Sequence, residues 1–282
     1  MVEVWLPYGK TEVHISVPLR YLLGTVEPAK GEPAENPFDT VIQSLKSPIE
    51  KESLGDLVNP RVKVAVALEG TMAPATAVNA ASAVVWTLNQ AGVLSENITL
   101  VIGNGLREGS SPQLREGLSG SQLLQTVQIV EHNRNTGTTT SIGATSARTV
   151  LEVCSPFVEA DFRIAIGEIM LDHFSGMRGA QSTVLPALAR REAVEQNRGL
   201  AFRGGVTPGE WEDNPVYADQ IEAARMARVD FAVHLLTNGY GELLSAFSGD
   251  VEASWSIALP ALGDSYKVKA EPNADIIVVS AG

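Results

Sequence analysis

The run "RVKVAVALEG" at residues 61–70 constrains this chain more than any other segment. Val62, Val64, Ala65, Val66 and Leu68 leave almost no position to face water, which is the pattern of a strand buried on both faces. "NITLVIGNG", "VQIVEH", "DFRIAIGE" and "DFAVHLL" repeat that pattern further along. A sheet covered on both sides needs helices, and the sequence supplies them. After the first run, Val78, Ala81, Val84, Val85 and Leu88 share one helical face, with Gly92 placed as a C-terminal cap. Helical spacing also marks 37–46, through Phe38, Val41, Ile42 and Leu45, and segments near 111–119, 183–196 and 215–228. This alternation predicts an α/β fold: a doubly wound, mostly parallel sheet with helices on both faces. A chain of 282 residues is long enough to bury such a core.

The flanks differ. Residues 2–6 and 11–17 alternate as a hairpin does, around the turn "PYGK". At the other end "ADIIVVSAG" (274–282) reads as one more buried strand, at which the sequence stops. The expected organisation is an α/β domain over 1–266 and, over 267–282, the first strand of a second domain that is otherwise absent.

Charge excludes one class of partner. With 33 acidic and 21 basic residues the formal charge is −12, the wrong sign for gripping a nucleic-acid backbone. No apolar run approaches the roughly 20 residues of a membrane helix, and the first residues lack the basic-then-apolar pattern of a secretion signal. The expectation is a cytoplasmic protein with neither membrane nor nucleic acid as partner. Cys154 is the only cysteine, so there is no internal disulfide and no cysteine metal cage; its setting, "TVLEVCSPFVEA", predicts a buried thiol.

In open α/β sheets ligands bind beyond the carboxyl ends of the strands. The first strand ends in "EGTMAPAT", with Glu69 and Thr71, and the second in "GNGLREGSS", with Arg107. The third ends in "EHNRNTGTTTS", with His132 and Arg134; the fourth runs into "GEIMLDHFSGMRGAQSTVLP", with Asp172, His173 and Arg178. His173 follows a strand and precedes a glycine-rich turn, which places it at the cleft. His132 is expected to fix its own loop, His14 to lie at the surface, and His234 to be a hydrogen-bonded core histidine. Glu69 and Asp172 are expected to pair with arginines. Arg107, Arg178 and Arg198 gather fixed positive charge around one predicted cleft of an acidic protein, which points to a small anion as ligand. No cluster of metal-ligating residues occurs at a usual spacing.

In this order the segments resemble the N-terminal domain of the nickel-pincer lactate racemase family. The resemblance runs through "LPYGK", "LLGTVEP", "ENITLVIG", "EHN", "VLPALA", "IEAARMARVDF" and "GELLSAFSGD". It implies racemase or epimerase activity on 2-hydroxy acids, a nickel-pincer nucleotide cofactor, and a smaller domain across the cleft that the 274–282 strand would open. It also marks departures. Where the family reads Asp-x-Thr-Arg-Pro, its arginine holding the substrate carboxylate, this chain has Glu69, Gly70, Thr71, Met72, Ala73. Arg107 stands in place of one catalytic histidine, and a guanidinium cannot abstract a proton. His173 matches the second catalytic histidine. Ser182 occupies the position of the cofactor-bearing lysine, and Arg198 that of the nickel-binding histidine.

Three readings follow: a hydroxy-acid racemase or epimerase holding its cofactor without the lysine; a cofactor-free enzyme with His173 as single general acid or base; or a non-catalytic module for small anions. The candidate site is His173 as the catalytic group, with Glu69, Thr71, Arg107, Arg178 and Ser182 around the ligand and no resident metal. Thr71, Arg107 and His173 are expected to line one shallow cleft, with Arg107 and Arg178 rather than position 72 holding the anion. A missing C-terminal domain or a second copy of the chain would complete it.

Overall fold

The computed structural model describes residues 1–8, 11–26, 31–262 and 274–278. The chain divides into two compact units, one of residues 1–29 with 264–282, the other of residues 30–263.

In the first unit β1 (Val2–Tyr8) pairs antiparallel with β2 (Thr11–Val17), in register from Val2 opposite Val17 to Tyr8 opposite Thr11. Trp5 lies opposite an exposed His14, their ring centroids 5.0 Å apart. The expected 274–282 strand is not seen where it can be followed: residues 274–278 are exposed and form no strand. Its remaining residues and the expected boundary at 266 lie outside the described residues.

The second unit opens with α1 (Pro37–Lys46), whose Asn36 side chain accepts the Asp39 N–H and so caps the helix. Then follow β3 (Val64–Glu69), α2 (Pro74–Gln90), β4 (Ile98–Gly103), α3 (Pro112–Gly120) and β5 (Gln128–Glu131). A hairpin of β6 (Thr139–Ala144) and β7 (Val150–Cys154) precedes the short α4 (Ser155–Val158). Next come β8 (Phe162–Asp172), β9 (Gly176–Arg178), α5 (Arg191–Gly199), α6 (Pro215–Met226), β10 (Phe231–Thr237), β11 (Leu243–Gly249) and α7 (Val251–Ala261).

The main sheet has the order β11-β10-β8-β3-β4-β5. All neighbours are parallel except β11, which runs antiparallel to β10 at the edge. The chain winds outward from β3 to β5, then returns to lay β8 against the other side of β3. That reversal makes β3/β8 the switch point of a doubly wound sheet, where adjoining loops diverge and leave a crevice. Val64, Val66 and Leu68 of β3 pack with Ile164 and Ile166 of β8 against α1, α2 and α3. Ala65 and Ala67 face the opposite layer, with Phe157 of α4, Val194 of α5 and Ala223 of α6. Burying both faces removes the alternation of an exposed strand, which is why most of the sequence runs were continuous; the run at β5, expected to be buried, instead forms an edge strand whose residues are mostly exposed. Cys154 is buried there, as its neighbours predicted.

One expected helix is displaced. The spacing at 183–196 predicts a helix, but the chain makes a 3₁₀ turn at Ala180–Thr183 and turns again before α5 begins at Arg191. Pro186 has no N–H to donate to a helix. The carbonyls of Ala187 and Leu188 are taken by Gly105 N–H and Cys154 N–H, each at 3.0 Å. This segment presses on the ends of two strands: a Cβ at Gly103 would lie 2.8 Å from Ala187, and one at Gly167 would lie 2.6 Å from the Gly179 backbone.

Candidate functional site

The loop after β4 is built around one carboxylate. Glu131, at the end of β5, accepts Ser110 N–H at 2.6 Å and Asn104 Nδ2 at 3.0 Å. Partial burial raises its pKa, but these bonds and Arg115 outweigh it and hold the carboxyl below its ordinary range. Arg134 donates to the Leu106 carbonyl in the same loop. His132 is buried, which depresses its pKa, and its Nε2 lies 3.4 Å from the Ala189 carbonyl. It braces the segment before α5 rather than its own loop, which is closed by Asn133 Oδ1 accepting Asn135 and Thr136 N–H.

This scaffold sets the loop beside the N-terminus of α2 and leaves an open concavity of about 550 Å³. Residues 70–74 form one wall; residues 109–111, with Arg107 and Gln113, form the other. Two helices begin here. Ser111 caps α3 by accepting Leu114 N–H, but Ala73, at the cap of α2, has no side chain that can do so. Arg107 is exposed and is the only charged residue of the lining. Two helix N-termini and a lone guanidinium favour negative charge.

Thr71 and Arg107 therefore share one concavity, while His173 is not among its lining residues. The reason is the reach of β8, which outruns its neighbours. β3 pairs with it only as far as Leu68 opposite Ile166, and beyond Ile169 it turns back on β9. His173 stands exposed in the turn of that hairpin. Asp172 makes no ion pair among the described residues: its Oδ1 accepts Phe174 N–H, Ser175 N–H and the Ser175 hydroxyl, closing the turn. Arg198 reaches from α5 to the same turn and stacks over Phe174 at 4.8 Å.

Beneath the wall formed by residues 70–74 lies a buried polar centre. Glu69 is 5 % exposed and pairs with Arg178 of β9 at 3.3 Å, the ion pair expected of it. Its Oε2 also accepts the Thr71 hydroxyl at 3.3 Å. Burial raises the Glu69 pKa, against the pull of Arg178. Arg178 is thus committed to an internal partner, and only Arg107 offers an open guanidinium to the concavity. Glu168 of β8 is buried as well, 6 % exposed, and its Oε1 has no hydrogen-bond partner among the described residues. Burial and the neighbouring Glu69 charge push its carboxyl up to about 7, against the pull of the Arg178 guanidinium. Sequence reading missed Glu168. The available signal was a carboxylate inside the apolar run "IAIGEIM", where an unpartnered charge is costly.

Met72 is buried in the core beside α2, with an edge on the concavity. Ser182 is buried too, and its hydroxyl has no partner among the described residues. His234 is the satisfied core histidine that its strand pattern predicted: Nδ1 accepts Ala180 N–H and Nε2 bonds the Val251 carbonyl, both at 3.1 Å.

The fold is that of a doubly wound α/β domain, the class in which ligands bind beyond the strand ends at the switch point. Comparison gives the family. Residues 8–205 match the lactate racemase N-terminal domain, and the chain belongs to that family. It is 25 % identical over its whole length to a lactate racemase of Thermoanaerobacterium thermosaccharolyticum, covering 67 % of that protein. It is 21 % identical to one of Lactiplantibacillus plantarum, covering 91 % of this chain and 62 % of that protein. The fold superposes on the lactate racemase apoprotein structure of T. thermosaccharolyticum with TM-score 0.76 and 23 % identity, over 93 % of this chain and 62 % of that one. A Thermotoga maritima protein structure matches with TM-score 0.61 and 16 % identity, over 82 % of this chain and 59 % of that one. The chain spans about two thirds of the length of its curated relatives.

The residues that the resemblance sets at the family's cofactor positions do not fit a nickel-pincer group. Ser182 offers a buried hydroxyl where an amine is needed for attachment, and Arg198 offers a guanidinium, stacked on Phe174, where a nickel ligand is needed. Among the described residues no group of three or more His, Cys, Asp or Glu side chains could hold a metal ion. Likewise among the described residues, no helix is long and apolar enough to cross a membrane.

Proposed function

We propose that this member of the lactate racemase family binds a small carboxylate, of the 2-hydroxy-acid kind, in the concavity between the N-termini of α2 and α3, without a covalently held nickel-pincer group. The observation that carries this reading is the lining: two helix N-termini and a single charged side chain, Arg107, with no carboxylate among the lining residues. The curated relatives are lactate racemases, which supports a hydroxy acid as ligand class. Those relatives are longer, so the facing wall of the open concavity is assigned to a further domain or a second copy of the chain.

Calorimetric titration with L-lactate, D-lactate and sulfate tests this. A charge-assisted hydrogen bond contributes roughly 1.5–3 kcal/mol, so Arg107→Ala should weaken binding about tenfold or more. Equal affinity in the wild type and Arg107→Ala would reduce Arg107 to a solvated surface residue and end the reading.

His173 supports a second reading, cofactor-free acid–base catalysis, because it is exposed at the carboxyl end of β8. Any turnover of a bound hydroxy acid should then disappear in His173→Gln while binding persists. Turnover that survives His173→Gln would remove His173 from the mechanism.

A further inference from the structure

The concavity is rich in hydrogen-bond donors, and one group on its wall runs the other way. Thr71 lines it, and the Thr71 hydroxyl proton is already committed: it is donated at 3.3 Å to Glu69 Oε2. That same oxygen lies 3.3 Å from the Arg178 guanidinium, and an oxygen held against a cation accepts rather than donates. Arg178 is in turn fixed on β9, paired with Met170 of β8. The series Arg178, Glu69, Thr71 therefore leaves Thr71 Oγ1 with lone pairs and no proton for a ligand.

Asn104 adds a second acceptor. Its Nδ2 donates to Glu131 Oε1 at 3.0 Å and to the His132 carbonyl at 3.3 Å, and two acceptors on one side fix which end of the amide is which. Its Oδ1 is then left buried, with no partner among the described residues. A Cβ added to Gly70 would collide with that oxygen and would lie 3.1 Å from the Ser110 Cβ. Gly70 belongs to one wall of the concavity and Ser110 to the other, so the unpartnered oxygen sits at the seam between them.

These two sets of groups ask for different things of one ligand. Arg107 and the N-termini of α2 and α3 supply donors for a carboxylate. Thr71 Oγ1 and Asn104 Oδ1 call for a donor on the ligand itself. A 2-hydroxy acid carries both parts. A 2-oxo acid sets a further acceptor against the two oxygens, and an unsubstituted acid leaves them bare. We infer that Thr71, with Asn104 beside it, reads the hydroxyl of the bound acid, and that Glu69 and Arg178 are positioning residues that make Thr71 an acceptor. This rests on the concavity being an anion site.

The test is calorimetry of the full chain at pH 8 with L-lactate, D-lactate, pyruvate and propionate, monoanions of one chain length that differ at a single carbon. The better lactate enantiomer should bind about five- to tenfold more tightly than pyruvate or propionate. Thr71→Val keeps the shape and removes Oγ1, so lactate affinity should fall to about that of propionate while propionate affinity stays unchanged. Thr71→Ser should restore the preference. In Glu69→Gln the new amide can donate to Thr71 Oγ1 and free its proton, so the preference should shift toward pyruvate, a reversal that a lesion of packing would not produce. If Glu69→Gln does not fold, the two Thr71 variants decide. Arg107→Ala should weaken every acid alike and keep the ratio of lactate to propionate. Equal binding of lactate, pyruvate and propionate, or a lactate preference that survives Thr71→Val, would overturn this inference and leave the anion site standing. A folded Glu69→Gln that keeps the lactate preference would overturn the positioning role. Absence of binding by all four acids would overturn the anion-site reading and this inference with it.

Discussion

At the scale of the residue, position 72 separates what resemblance implies from what packing allows. Met72 stands where the resemblance implies a carboxylate-holding arginine, and its side chain is buried among the apolar residues of the layer that covers β3 and β4. Truncating it should therefore be a core lesion. Met72→Ala is expected to cost about 2–5 kcal/mol of stability through lost burial and a residual cavity, with anion affinity nearly unchanged. Chemical denaturation and calorimetry together check this. A stable variant with weakened binding would instead make the thioether part of the binding surface. Met72 was legible in sequence as a substitution but not as a core residue, because one residue past a strand end can face either way. Glu168 was overlooked for the converse reason. Its apolar neighbours made the run read as plain strand, and only the charges of Glu69 and Arg178, brought near by the fold, reveal its chemistry.

At the scale of the element, the buried strands were legible because burial on both faces forces unbroken apolar runs, as in Val64–Glu69. The helices α1 and α2 were legible from their 3.6-residue spacing. The stretch from 179 to 190 was not. Its apolar residues have helical spacing, yet their backbone groups are claimed by Gly105 and Cys154 across the domain. Local pattern carries no record of such distant partners. The clue was glycine: Gly103 and Gly167 lie where strand and crossing segment touch, too close for any side chain. Gly167→Ala would place a methyl 2.6 Å from the Gly179 backbone and must displace the turn that carries Ser182. Such overpacking costs typically 1–3 kcal/mol or more, so melting should fall by roughly 2–4 °C for each kcal/mol lost. Gly120→Ala, at the end of α3 with nothing within 4 Å of the added methyl, should be neutral or slightly stabilising. Equal effects from the two substitutions would mean that the crossing segment yields freely.

At the scale of the whole molecule, two buried groups oppose each other in the response to pH. The α/β class followed from the sequence, but the strand order that buries Glu168 on β8 and puts His234 under Ala180 did not, since alternation of strands and helices is compatible with several orders. Burial holds the Glu168 carboxyl near 7 against an ordinary 4.5, and holds His234 near 4 against an ordinary 6.5. The signs are opposite. Glu168 binds its proton more tightly when folded, so its share of stability is full below pH 4.5 and is lost as pH rises to 7. His234 binds its proton less tightly when folded, so its share is full above pH 6.5 and is lost as pH falls to 4. Between pH 4.5 and 6.5 the folded state carries a proton on Glu168 and none on His234, while the unfolded chain has the reverse. The proton counts nearly match, and these two slopes cancel. Single substitutions should unmask them. Relative to wild type, Glu168→Gln should gain stability as pH rises through that window and His234→Gln should lose it, each by an amount on the order of 3 kcal/mol across its full range. Because other carboxylates titrate in both backgrounds, the measurement is the difference in melting temperature between variant and wild type at each pH. Difference curves that are flat, or that slope the same way for both variants, would show that these two groups do not hold their charges as the fold implies.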